Sequence, residues 1–131
     1  MSLSPLLAAP AVVQIHAMCA LAAFVLGAVQ FAAPKGTVPH RVFGWVWVGL
    51  MVVVGVTSFF ISGMPWIGPF GPIHVLSLWT LAVLPSAVLA ARRGDVTRHR
   101  RSMVWLFVGA LLVAGAFTLL PQRIMGQVVF G

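Results

Sequence analysis

Apolar residues fill this chain in long unbroken runs, and the polar or helix-breaking residues that interrupt them fall between four such runs. The first extends from about Ala11 to Ala33 and stops at Pro34-Lys35-Gly36. The second opens at Pro39-His40, with proline tolerated in a first helical turn, and ends near Ser62-Gly63. The third opens at Pro72-Ile73-His74 and reaches Ala91; the fourth opens near His99 and ends at Leu120-Pro121. Each holds roughly 20 residues, enough at about 1.5 Å of rise per residue to cross a hydrocarbon core of about 30 Å. The runs are continuous and do not alternate, which disfavours a closed β-barrel. Short connections force antiparallel neighbours. The pattern therefore predicts a single transmembrane domain over residues 1–131. Its fold class is an all-α, integral membrane four-helix bundle, up-down-up-down, with helices at about 11–33, 40–62, 73–91 and 99–120.

Composition agrees: 61% of the 131 residues are hydrophobic and 7% charged, too much apolar surface for a soluble domain of this length to hide. Charge sets the orientation. Lys35, Arg41, Arg92, Arg93, Arg98, Arg100 and Arg101 all fall at one end of the bundle, while Arg123 is the one basic residue at the other. That asymmetry places both termini outside the cytoplasm and suggests an inner or plasma membrane. It also explains the basic balance without nucleic acid. The N-terminus lacks the positive stretch of a secretory signal, so the first run is expected to be a retained helix. Cys19 is alone, and no Cys-x-x-Cys-His is present for covalent haem attachment. Trp45, Trp47 and Trp105 are expected to anchor at the headgroup boundary, with Trp66 in the opposite loop. Pro85 is expected to kink the third helix by freeing the carbonyl of Leu81.

Against this background four histidines stand out, one near the start of each run: His16, His40, His74 and His99. Ionisable groups are costly in or near hydrocarbon and are candidate functional residues there. Alternating helix direction sorts them into pairs, His16 with His74 toward one face and His40 with His99 toward the other. Each pair comes from parallel helices on a diagonal of the bundle. A flat cofactor ligated from both sides would draw its ligands from such a diagonal, so two pairs suit two bis-histidine haems. From His16 a stripe of small residues runs through Ala20, Ala23 and Gly27 to Gln30; from His40 a second runs through Gly44, Trp47, Met51 and Gly55 to Ser58. Arg41, Arg100, Arg101 and Arg123 are candidates to neutralise haem propionates, or else to hold lipid phosphates. Zinc or copper would need three or four ligands close together, and the pairs are separated by most of the bilayer. A catalytic triad lacks any carboxylate beside a Ser or Cys.

The segments His40-Arg41-Val42-Phe43-Gly44-Trp45 and Arg93-Gly94-Asp95-Val96-Thr97-Arg98-His99-Arg100-Arg101-Ser102-Met103 resemble the two signature stretches of a bacterial membrane family of unassigned activity. Its pattern is a His in the first helix, His-Arg-x-x-Gly opening the second, and a basic His-Arg-x-x-Met stretch opening another. The matching residues here are His16, His40, Arg41, Gly44, His99, Arg100 and Met103. The resemblance implies a bacterial membrane location but no chemistry. More loosely, the placement of His16, His40, His74 and His99 is similar to that in four-helix dihaem b-type cytochromes, which move electrons between quinones or small reductants and acceptors. That likeness implies a membrane oxidoreductase with two non-covalent b haems, membrane lipids around it and quinone as a partner. No quinone or ascorbate motif is recognisable; the place to look is near Trp66, Ile67 and His74. The competing expectation is a cofactor-free structural or assembly subunit that docks against partner membrane subunits.

Overall fold

In a computed structural model the residues described are 1–61, 71–120 and 123–131. A short helix, α1 (Ser4–Leu7), precedes the first long one, α2 (Ala11–Ala32). Lys35 folds back over the end of α2, its Nζ donating to the carbonyls of Phe31 and Ala33 at 2.8 and 2.5 Å. These carbonyls have no partner within the helix, and a cation suits the negative end of its dipole. α3 (Val38–Ser58) starts at Thr37, whose Oγ1 accepts the amide of His40 at 3.2 Å, with Pro39 in the first turn. α4 (Pro72–Arg92) again has proline at its first position. Between α4 and α5 (Val96–Leu106), Gly94 takes φ +78°, a conformation open to glycine, and Asp95 then caps α5 by accepting the Arg98 amide at 3.1 Å. The chain's single acidic residue is thus spent on a helix start.

Four helices among the described residues are long and apolar enough to span a membrane: Ala11–Ala32, Val38–Ser58, His74–Arg92 and Val96–Thr118. The fourth is composite. α5 passes into a π-helical stretch, Phe107–Val113, and then into α6 (Ala114–Thr118). α2 packs on α3, α3 on α4, and α4 on α5, while the π-helical stretch touches both α2 and α4 and closes the ring. A last helix, α7 (Ile124–Phe130), returns to lie against α1. Leu6, Ala17 and Val128 form a small core there, and the Ser2 amide donates to the Val128 carbonyl at 3.0 Å. Neither terminal helix is visible in the hydropathy pattern, because each is too short to show as a span.

The main core joins all four spans through Ala23, Trp47, Met51, Leu84, Ala87, Leu106, Phe107 and Leu111. Outward-facing positions such as Val25, Val46, Leu78 and Val113 are apolar too, which is what lipid contact requires. Both stripes read from the sequence face inward. Ala23 and Gly27 on α2, and Trp47, Met51, Gly55 and Ser58 on α3, are buried.

Trp47 corrects an expectation. Trp45 and Trp105 are 57% and 59% exposed, as headgroup anchors would be, but Trp47 is only 5% exposed. Its indole N–H donates to the Ala23 carbonyl at 3.0 Å in the core. Trp45 and Trp47 are two positions apart along the helix, about 200° of rotation, so the rings point to opposite sides. Trp66 lies outside the described residues. Pro85 sits on the exposed side of α4, and the helix continues on both sides of it.

Close packing explains two of the small residues. A Cβ at Gly27 would sit 2.7 Å from the Phe107 ring and 3.0 Å from Trp47 Nε1; one at Gly55 would sit 2.9 Å from Leu81. Phe107 has little room to retreat, since it stacks on Phe24 at 5.5 Å and meets Phe31 edge-on at 5.1 Å. Gly27→Ala is therefore expected to destabilise the bundle by ~1–3 kcal/mol through overpacking. Gly49→Ala, where a Cβ meets nothing within 4 Å, is expected to be neutral or slightly stabilising. Unfolding midpoints of the two variants in detergent, followed by helical circular dichroism, check the contrast.

Candidate functional site

The inward faces are not uniformly apolar. Toward the end where α3 stops and α4 begins, Ser58, His74, Ser77 and Thr80 are all buried, and His16 approaches from α2. Hydrogen bonding accounts for them, as hydrocarbon demands. Ser58 donates to the Gly55 carbonyl at 2.6 Å and also meets Ser77; Thr80 donates to the Leu76 carbonyl at 2.9 Å.

The two histidines here are held in opposite ways. His16 Nδ1 lies 3.0 Å from Thr57 Oγ1. The Thr57 hydroxyl has one proton, and its nearest acceptor is the Val53 carbonyl at 2.6 Å, ahead of the Val54 carbonyl at 3.2 Å. With the hydroxyl proton on that nearest carbonyl, Thr57 accepts from His16, an arrangement that puts the His16 proton on Nδ1 and the lone pair on Nε2. His74 is the reverse. Its Nδ1 accepts the Gly71 amide at 3.0 Å, which leaves the proton on Nε2. His74 is 4% exposed and its ring tilts against Phe59 with centroids 5.7 Å apart. This bond reaches back across the first turn of α4 and satisfies an amide that would otherwise be orphaned.

At the other end of the bundle stand His40, near the start of α3, and His99, near the start of α5. His99 Nδ1 lies 2.9 Å from the Ala87 carbonyl, which can only accept. The His99 proton is thus on Nδ1 and the Nε2 lone pair is presented elsewhere, the arrangement in which proteins hold metal-ligating histidines. His40 Nδ1 is buried with no hydrogen-bond partner among the described residues. Around it, Gln30 Nε2 donates to the His40 carbonyl at 2.8 Å, tying the end of α2 to the start of α3. The polar residue closing the His16 stripe thereby braces the opening of the His40 stripe.

The candidate arginines are distributed unevenly. Arg41, Arg100 and Arg101 are exposed at the His40–His99 end, whereas Arg123 is half-buried at the start of α7, at the opposite end. Arg98 instead reaches Ser86 on α4 at 3.3 Å. Among the described residues no group of three or more His, Cys, Asp or Glu side chains is placed to hold a metal ion. Of the expected quinone pocket, His74 is described, while Trp66 and Ile67 lie outside the described residues.

The profile of a family described as "Predicted membrane protein (DUF2306)" matches residues 13–130, a stretch that includes all four histidines and all of the four spans but Ala11 and Val12. The chain belongs to that family. Comparison with curated proteins and with solved structures found no match. The family description agrees with the four membrane-length helices, and with the lipid contact they imply, and assigns no chemistry.

Proposed function

We propose that this membrane protein is a b-type cytochrome whose first haem site is the His40–His99 pair. The observation that carries this reading is the state of the two rings. His99 is anchored through Nδ1–H with its Nε2 lone pair available, and His40 keeps a buried ring nitrogen that no group among the described residues satisfies. An unpartnered buried nitrogen of this kind is costly unless something outside the chain occupies it. The donor chemistry fits haem iron, which neutral imidazoles ligate axially. Haem bound there supplies reversible one-electron chemistry; the protein supplies ligation, burial and orientation. Ala87 fixes the His99 ring, Gln30 fixes the backbone of His40, and Arg41, beside His40, would offset a carboxylate at the macrocycle edge.

The outer pair is half prepared. His16 offers its Nε2 lone pair, but His74 can offer Nε2 only after its proton moves and the Gly71 amide is released. His16 and His74 are the residues that would hold a second haem. With both sites filled the chain would pass electrons across the bilayer, with quinone the natural exchange partner in a bacterial inner membrane whose cytoplasmic side meets the basic end. The packed core of Met51, Leu84 and Leu106 between the two histidine levels is the observation that favours the other reading, a cofactor-free subunit of a larger complex. An absorption spectrum of detergent-purified protein with and without dithionite decides between them. A reducible Soret band supports the cytochrome; a colourless protein from haem-replete cells supports the subunit.

A further inference from the structure

We propose that the exposed face of α5 is a binding site for one anionic phospholipid of the leaflet at the basic end of the bundle. Val96, Thr97, Arg100, Arg101, Val104 and Trp105 line a shallow groove of about 360 Å³ on this face. Their spacing makes the groove from two adjacent helical ridges, Val96–Arg100–Val104 and Thr97–Arg101–Trp105, each stepping by four residues. Beyond the arginines both ridges turn apolar, at Val104 and Trp105, over about 6 Å of rise along the helix, with Val96 on the other side of Arg100. A phospholipid has the same order, phosphate first and acyl chain next.

Charge is what selects the occupant. Arg100 and Arg101 are exposed, and among the described residues no ion pair engages either. The chain's one carboxylate, on Asp95, is turned to the Arg98 amide, and Arg98 itself is drawn to Ser86. Two guanidinium forks beside a hydroxyl at Thr97 match a phosphodiester that carries net negative charge, whereas a zwitterionic headgroup would bring its own cation into the same space. Trp105, 59% exposed, and Val104, 40% exposed, provide an apolar wall for the first acyl carbons. An acidic protein segment would use the arginines but leave that wall against lipid, so the phospholipid uses more of the groove.

Native mass spectrometry of the full chain, released from nanodiscs of equal phosphatidylglycerol and phosphatidylcholine, tests this. The expected result is one retained phosphatidylglycerol, lost about tenfold more readily from the double variant Arg100→Gln/Arg101→Gln. Arg92→Gln/Arg93→Gln removes the same charge from the same membrane face and is expected to keep the lipid. Arg100 and Arg101 are exposed, and unchanged helical circular dichroism of the double variant separates lost binding from lost fold. Equal loss in the two double variants would reduce the effect to general surface charge and overturn the site. Equal retention of phosphatidylcholine would do the same, as would displacement by millimolar inorganic phosphate, which would make it a free-anion site.

Discussion

His99→Ala is expected to abolish the reducible Soret band, because it removes the ring whose Nε2 lone pair the Ala87 carbonyl holds in place. His40→Ala should remove the band or leave a weak high-spin form, since one axial ligand then remains. The outer histidines behave differently. His16→Ala should leave the first haem in place, and so should His74→Ala. His74→Ala should nevertheless lower the unfolding midpoint, because the Gly71 amide loses its acceptor in a buried site, a loss of about 1 kcal/mol. Haem-to-protein ratio and reduced-minus-oxidised spectra of the four variants check the pattern. Loss of all colour from His74→Ala, with His99→Ala still coloured, would reverse the assignment of the first site.

Trp47→Ala should be the most damaging core substitution, at ~3 kcal/mol or more. Trp47 fills the space between α2 and α3 beside Gly27, at 5% exposure, and its indole N–H lies on the Ala23 carbonyl. The surrounding helices relax only partly into that space, so the lost packing is not recovered. Trp47→Phe keeps most of the volume and removes the hydrogen bond, so about 1 kcal/mol is expected there. Trp45→Ala and Trp105→Ala, on exposed faces, should change the midpoint little. Detergent unfolding midpoints across these variants give the ranking. A Trp47→Ala protein as stable as Trp45→Ala would mean that this core contact does not hold the bundle together.

The histidines show how far the residue pattern could be read. That each stands near the start of a span follows from counting, and so does their division between two ends. Which histidine is ready to ligate does not follow. His16 and His74 look equivalent in the sequence, yet Thr57 places the proton of one on Nδ1 and the Gly71 amide places the proton of the other on Nε2. The Gly71 contact is made locally, in the first turn of α4, whereas Thr57 comes within 3.0 Å of His16 only through the rotation and depth of α3 against α2. Ala87 acts on His99 across the α4–α5 turn in the same way, and Gln30 reaches His40 from the far end of α2. Gln30 was visible as the polar end of a small-residue stripe, but nothing in the stripe named the carbonyl it would bond.

What the sequence determined by itself is the membrane architecture: four spans, antiparallel, with the basic residues gathered at one end. Each span satisfies its own backbone hydrogen bonds, so its existence depends on length and hydropathy alone and not on any partner. The tertiary structure decided everything that depends on which way a helix is turned. It buried Trp47 and exposed Trp45, changed the fourth span to π-helical turns where it meets α2 and α4, and folded α7 onto α1. Lipid-facing positions and much of the core are apolar alike, so beyond the small-residue stripes and a few polar positions hydropathy carries little record of that rotation. Packing between helices supplies it.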